Sequence, residues 1–264
     1  MFDEPLSIAA VADALGNLAC RFDVDVLAEC DSTNARLLTL AEGGAPSGTV
    51  LAALSQTAGR GRRGRNWFSA SGDSLTFSLL WRLPQDTPLA GLSLAVGVAL
   101  ARALEQLGVA GISLKWPNDV LLNERKLAGV LIELVPGVRS SAAVIGIGMN
   151  LRLPRGMPPD LSRTAAALIE SDVPLSATSD LLARLLTALH DALTSFAGAG
   201  FAQLREAWLI RHAFQDRAVH LLSDFSEPIA GICRGVDVDG ALLLETEAGP
   251  QRIISGELTL RPAA

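Results

Sequence analysis

The sequence has no uninterrupted apolar run near the roughly 20 residues that a membrane-spanning helix requires, although its mean hydropathy is positive at +0.34. Its start, MFDEPLSIAA, is acidic and lacks the basic n-region of a secretory signal. Cys20, Cys30 and Cys233 form neither an even disulfide set nor a metal-type spacing, which predicts buried, reduced thiols and a cytoplasmic setting. Histidine is equally scarce. His190, His212 and His220 all lie in the C-terminal half, away from the glycine-rich stretches, which speaks against a histidine-ligated metal. There is no G-x-x-x-x-G-K-[ST] phosphate loop, no Ser-His-Asp or Cys-His arrangement and nothing resembling a paired-carboxylate glycosidase site. Internal repeats and low-complexity tracts are absent too.

What is there suits a sizeable core: 264 residues, 49% hydrophobic and 19% charged, enough for one large domain or two smaller ones. Apolar periodicity and capping residues predict helices over Ser7–Leu18, Asn34–Glu42, Pro88–Leu107, Ser179–Phe196 and Phe201–Arg211. Strands are predicted over Val24–Ala28, Thr49–Leu54, Leu75–Trp81, Ile112–Trp116, Leu127–Leu134 and Ala142–Ile147, with a loop over Pro154–Pro159. The character changes near Arg217. From Ala218 to Leu260 short strands alternate with turns at Val238-Asp239-Gly240 and Ala248-Gly249-Pro250. The expectation is an α+β domain over residues 1–216, followed by a small all-β module of about five strands over 217–264.

One segment departs from the rest. Q-T-A-G-R-G-R-R-G-R-N-W, Gln56 to Trp67, packs four arginines and three glycines between Gly59 and Arg65, in a chain of net charge -6. Like charges so close repel, so the loop is not expected to settle into one conformation by itself. A multivalent anion changes that, because guanidinium groups bind phosphate or carboxylate in bidentate fashion and glycine lets backbone N–H groups come close. The competing reading is a solvated basic loop or an RNA-binding patch. The acidic remainder of the chain is a poor background for holding a nucleic acid.

Further constellations follow. Lys115-Trp116-Pro117-Asn118-Asp119 ends a predicted strand and reads either as a polar turn or as hard oxygen ligands for Mg2+. Arg125-Lys126-Leu127-Ala128-Gly129-Val130-Leu131-Ile132-Glu133 opens basic and becomes a strand. Lys126 at its mouth is either a functional cation or a strand-start lysine reaching for water. Gly146-Ile147-Gly148-Met149-Asn150 ends another strand, and Asp31-Ser32-Thr33-Asn34 offers two hydroxyls at a helix start. The chain thus concentrates cations and anion-binding backbone, as phosphoryl or adenylyl chemistry requires.

Taken in order, D-S-T-N, Q-T-A-G-R-G-R-R-G-R-N-W, K-W-P-N-D, R-K-L-A-G-V-L-I-E and G-I-G-M-N resemble the biotin protein ligase family, and G-E-L-T-L-R at Gly256–Arg261 looks like its closing β motif. The resemblance runs from about Ala28 to Arg261. It implies a catalytic domain with a mixed sheet and helices, like class II aminoacyl-tRNA synthetases and biotin synthetases, plus a small C-terminal SH3-like β-barrel. It implies ATP-dependent activation of biotin to biotinyl-5'-AMP, then transfer to a lysine of a biotin carboxyl carrier domain of acetyl-CoA carboxylase. By the same resemblance Lys126 and Arg62 are catalytic. Ser32, Thr33, Asn34, Gln56, Gly59, Arg60, Arg62, Trp67, Lys126 and Gly129 hold biotin. Arg62, Arg63, Arg65, Trp67, Lys115, Asn118, Lys126 and Asn150 hold ATP or the adenylate, and Asp119 holds Mg2+.

The resemblance also has limits. Some family members carry a DNA-binding winged helix-turn-helix, but the thirty or so residues before Asp31 offer one clear helix, so no DNA partner is expected. A homodimer and a monomer both remain open. The alternatives are a lipoate–protein ligase or octanoyltransferase of the same superfamily, a regulatory module that binds biotin or nucleotide without turnover, and an RNA-binding protein.

Overall fold

The computed structural model describes residues 6–135, 142–154, 156–171, 173–174, 177–223, 227–254 and 258–262. The first helix, α1 (Ile8–Leu15), is capped by Ser7, whose Oγ accepts from the Ala10 N–H at 3.4 Å, and it stops at Gly16, where the chain tightens into a 3-10 turn. That is three residues earlier than predicted. Then follow β1 (Asp23–Cys30), α2 (Thr33–Glu42), β2 (Thr49–Gln56), β3 (Ser74–Arg82) and α3 (Leu92–Gln106). The helix expected from Pro88 begins only after Gly91, which adopts φ 78° and breaks the helical run. Next come β4 (Ile112–Lys115), β5 (Asp119–Leu122), β6 (Arg125–Leu134) and β7 (Ala142–Asn150). β5 was not foreseen, because its four residues start inside what reads as a polar turn. The short α4 (Pro159–Ser162), the long α5 (Thr178–Ala199) and α6 (Arg205–Leu209) follow. The helix predicted over Phe201–Arg211 is split, its first turn being a separate 3-10 element, Gly200–Gln203.

Strands β1 to β7 form one mixed sheet in the order β1-β2-β3-β7-β6-β5-β4, parallel only between β1 and β2. Period-two alternation gives this sheet two unlike faces. Leu75, Phe77 and Leu79 of β3, Ile145 and Ile147 of β7, and Ala128 and Val130 of β6 share one face with α1, α3 and α5 in the main core. The opposite face carries Thr76 and Ser78 on β3, Gly146 and Gly148 on β7, and Gly129, Leu131 and Glu133 on β6, all in register. α2 covers one end of that second face, burying Leu37 and Ala41 against Leu80 and Val144. The rest of it is where the site lies.

The final residues form a five-stranded antiparallel sheet, β8 (Ala218–Ser223), β9 (Ile229–Val236), β10 (Leu242–Thr246), β11 (Gly249–Ile253) and β12 (Leu258–Pro262), in the order β11-β10-β9-β8-β12. Five strands are as expected, with one turn displaced by a residue to Glu247-Ala248. Among the described residues β11 and β12 do not pair with each other. Gly256 and Glu257 of the closing motif lie outside the described residues. The module is fastened to the large sheet. Trp116 Nε1 donates to the Gly240 carbonyl at 3.1 Å, Arg205 Nε to the Val236 carbonyl at 2.8 Å, and residues 211–213 pair with the outer edge of β4. At this junction buried His212 faces the Cys233 thiol at 3.6 Å and stacks on Trp208. Desolvation pushes the imidazole down to about 4 and the thiol up to about 11. The expectation of buried thiols holds for Cys30 and Cys233, but Cys20 is exposed, because it sits on the solvent side of the 3-10 turn after α1; all three are free.

Candidate active site

One end of the cleft is built from neutral hydrogen bonds. Ser32 caps α2 by accepting from the Ala35 N–H at 3.4 Å, which brings Thr33 and Asn34 over the polar face of the sheet, both almost fully buried. Gln56, at the end of β2, accepts the Thr33 backbone N–H at 2.8 Å through Oε1. The Ser78 hydroxyl, 0% exposed, touches both the Thr33 hydroxyl at 2.7 Å and Asn34 Oδ1 at 2.5 Å. Asn34 fits because position 146 is glycine: a Cβ there would overlap the Asn34 amide.

The other end is ionic. Asp119 receives Lys126 Nζ at 2.6 Å on one oxygen and Lys115 Nζ at 3.7 Å on the other. Register explains the cluster: Lys115 pairs with Asp119 across β4–β5, Asp119 pairs with Gly129 across β5–β6, and a bulge after Val120 swings Lys126 back towards Asp119. Burial opposes ionisation of Asp119, yet Lys126 and Lys115 together outweigh it and hold the carboxyl below its usual range. Burial lowers Lys115 as well, and the nearby cations Arg261, Lys126 and Arg65 push the same way against Asp119. Arg261 comes from β12, so the C-terminal module adds a charge to this end. Lys115 and Lys126 are the only lysines in the chain, the other twenty cationic side chains being arginine. A compact ammonium, rather than a fork, is therefore found only where these two meet one carboxylate.

The arginine segment bridges the two ends. In the structure it forms a hairpin: Gly61 N–H donates to the Arg65 carbonyl at 2.7 Å, Trp67 N–H to the Gly59 carbonyl at 2.8 Å, and Arg62–Gly64 form the turn. Partners on the sheet disperse the charge. Arg60 pairs with Glu133, and Arg62 Nη1 donates to Asn118 Oδ1 at 3.4 Å. Burial pushes the Arg62 guanidinium down, partly offset by Asp119. Trp67 then lies flat on β7 and β6. A Cβ at Gly148 would overlap its indole, one at Gly129 would touch the same ring at 3.5 Å, and Lys126 Nζ sits 5.8 Å from the ring centroid. The indole N–H is buried and meets no acceptor among the described residues. Between hairpin and sheet runs a cleft of about 640 Å3, lined by Arg60, Arg62, Arg63, Arg65, Leu131 and Glu133. A second groove, about 430 Å3, lies behind the sheet beside Arg102 and Arg184, away from these groups.

The structure therefore brings together Ser32, Thr33, Asn34, Gln56, Gly59 and Arg60 at one end, and Arg62, Lys115, Asn118, Asp119 and Lys126 at the other, with Trp67 and Gly129 between. Arg63 and Arg65 lie on the hairpin's turn side. Asn150 is turned inward: it is 3% exposed, and its Nδ2 donates to the Ala166 carbonyl at 3.0 Å and the Lys126 carbonyl at 3.4 Å. Ser78, Glu133 and Arg261 were not singled out from the sequence. The signal for Ser78 is legible, a polar residue alternating with leucine and phenylalanine in a buried strand; Arg261 ends the closing β motif, but only folding brings it near Lys115.

Residues 26–150 match the biotin/lipoate A/B protein ligase family, and residues 216–261 match the biotin protein ligase C-terminal domain. The chain is 38% identical to a biotin–[acetyl-CoA-carboxylase] ligase of Paracoccus denitrificans, over 88% of this chain and 98% of that one. It is 39% identical to the bifunctional ligase/repressor BirA of Salmonella typhimurium, over 98% of this chain and 81% of that one. Among solved structures it resembles the biotin protein ligase of Aquifex aeolicus in complex with biotin and ATP, with a TM-score of 0.79 at 32% identity, covering 91% of this chain and 99% of that one. On these matches over nearly its whole length, the chain belongs to the biotin protein ligase family.

Proposed function

We propose that the protein is an ATP-dependent biotin protein ligase acting on the biotin carboxyl carrier domain of a carboxylase. The observation that carries this reading is the two-ended cleft, with neutral hydrogen-bonding groups at one end and two lysines on a single carboxylate at the other. In the first step a biotin carboxylate oxygen bonds to the α-phosphorus of ATP as the bond to pyrophosphate breaks. Lys126 can contact both anions and offset charge as it develops in the transition state. Arg62 adds a second cation from the hairpin, and Trp67 covers the intermediate against water. Lys115, Asn118, Arg63 and Arg65 are placed for the phosphates, and Asn150 supports Lys126 through its backbone. In the second step the carrier's lysine amine attacks the acyl carbon, the C–N bond forms, AMP leaves and the amine loses a proton; the enzyme itself supplies no nucleophile.

Among the described residues no three acidic, histidine or cysteine side chains gather to hold a metal. Asp119, the carboxylate at the ionic end, has Lys126 on one oxygen and Lys115 on the other, so these residues do not offer a Mg2+ site of their own; an ion carried in by ATP would offset phosphate charge through the phosphates. Residues 217–264 are read as a separate, barrel-like module that would help cover nucleotide or dock the carrier. None of the described helices is long and apolar enough to cross a membrane, and the free thiols suit the cytoplasm.

The test is direct. Mixed with ATP, biotin and an apo carrier domain, the protein should release pyrophosphate and add one biotin mass to the carrier. Labelling with lipoate or octanoate but not biotin would assign it instead to the lipoate branch, and salt-sensitive RNA binding that survives saturation with biotin and ATP would remove the ligase reading.

A further inference from the structure

Glu133 has no role in the chemistry above, yet its carboxylate ends the hydrogen-bond chain at the neutral side of the cleft. It projects from β6 on the polar face of the sheet, level with Val144 of β7. Its two oxygens have different partners: Oε1 accepts from Arg60 Nη2 of the hairpin, and Oε2 accepts from Asn34 Nδ2 at 2.8 Å. Asn34 Nδ2 also donates to the Leu131 carbonyl at 3.3 Å. With two acceptors on that side, the amide of Asn34 can face only one way, NH2 towards β6 and Oδ1 towards Ser78.

Proton counting then proceeds across the sheet. Asn34 Oδ1 cannot donate, so the single proton of Ser78 goes to it across 2.5 Å. The 2.7 Å contact between Ser78 and Thr33 must therefore use the proton of Thr33. Thr33 Oγ1 also lies 3.2 Å from Gln56 Oε1, which accepts the Thr33 backbone N–H at 2.8 Å, but the single Thr33 hydroxyl proton is committed to the shorter contact with Ser78. Thr33 is left with lone pairs to offer. Gln56, with Oε1 occupied, is left with its NH2 group. Every donor in the series Thr33, Ser78, Asn34 points towards Glu133.

We infer that Glu133 is a positioning residue that sets the proton polarity of the Thr33–Ser78–Asn34 relay, so that Thr33 presents an acceptor to the ligand beside the NH2 of Gln56, which the Thr33 backbone N–H orients. That pair matches a cyclic urea, which offers N–H and C=O side by side; the inference rests on the biotin reading above. Because the same carboxylate holds Arg60, it also ties the hairpin to the groups whose polarity it sets. A glutamine at 133 has one acceptor where two are needed. Either Arg60 or Asn34 then loses its carboxylate partner, and in the second case the Asn34 amide is oriented only by the longer bond to the Leu131 carbonyl at 3.3 Å.

The test is a steady-state comparison of wild type, Glu133→Gln, Ser78→Ala and the double variant, with folding checked by thermal melting. Glu133→Gln should raise the KM for biotin about tenfold or more and change the KM for ATP less than about twofold, one lost hydrogen bond to a charged group being worth about that factor. If Glu133 acts through the relay, adding it to Ser78→Ala should worsen biotin binding little further. Ser78→Ala also serves if the Glu133 variant does not fold, and should itself raise the biotin KM several-fold with the ATP KM held. An unchanged biotin KM, a parallel rise for both substrates, or full additivity in the double variant would overturn the inference. Wild-type protein with no biotin-dependent turnover would overturn the ligase reading, and this inference with it.

Discussion

The two ends of the cleft lie on the same sheet face and are built on opposite principles. At the hydrogen-bonded end Thr33, Asn34 and Ser78 are each under 5% exposed, and the side-chain polar atoms of all three have protein partners. Such a network is rigid, and its desolvation was met when the protein folded. At the ionic end one carboxylate, Asp119, stands among Lys115, Lys126 and Arg62, with Arg261 and Arg65 close enough to be felt. Here positive charge exceeds negative, so an arriving anion lowers the energy of the cluster. On the function proposed above, hydrogen bonds in fixed directions would serve selectivity, and cations in excess would serve turnover. Trp67 spans the join, and the hairpin reaches both ends through Arg60 and Arg62.

The largest effect should come from the ionic end. Lys126→Ala removes one of the two lysines and should slow pyrophosphate release about 10^3-fold, within the range seen for losing one transition-state charge contact. Biotin affinity, measured by calorimetry, should fall much less. Equal losses in both would mean that the two ends do not divide the work. A smaller effect belongs to the junction that carries Arg261. Buried His212 stays neutral down to about pH 4, whereas in the unfolded chain it takes a proton near pH 6.5. Its contribution is therefore complete above pH 6.5 and is lost as the pH falls towards 4, for a total on the order of 3 kcal/mol. Denaturant titrations across that window should show the slope, and His212→Gln should flatten it; a slope that persists would move the acid sensitivity elsewhere. Smallest is the join. In Gly148→Ala the new methyl overlaps the indole of Trp67, and overpacking of this kind costs about 1–3 kcal/mol. Biotinyl-AMP should then escape about tenfold faster in a chase, and an unchanged rate would mean that Trp67 does not cover the intermediate.

Much of this was legible beforehand because it is local. The caps at Ser7 and Ser32, the apolar runs of β2, β3, β6 and β7, and the five ordered motifs all rest on neighbours a few residues apart. The alternation in Leu75-Thr76-Phe77-Ser78 and in Ile145-Gly146-Ile147-Gly148 even announces which residues face the cleft. Illegible were the hairpin's settled form, which depends on Glu133 and Asn118 accepting from arginines some sixty residues away, and the β5 strand, whose four residues form a strand only because β4 and β6 flank them. The Phe201–Arg211 helix was overcalled for the converse reason: its apolar period fits a helix, but packing against the junction interrupts it after a single 3-10 turn.

The sequence by itself determined the α+β order and carried the motifs whose resemblance pointed to the family and to the candidate groups of the site, since these rest on residue types and short-range spacing. Tertiary structure alone decided how the groups are used. It set Lys115 and Lys126 on one carboxylate, brought Arg261 from the far end of the chain and turned Asn150 inward. It also gave Glu133 its place at the end of the relay. Hydrogen-bond direction and charge coupling depend on distances of a few ångströms between strands remote in sequence, and only strand register fixes those.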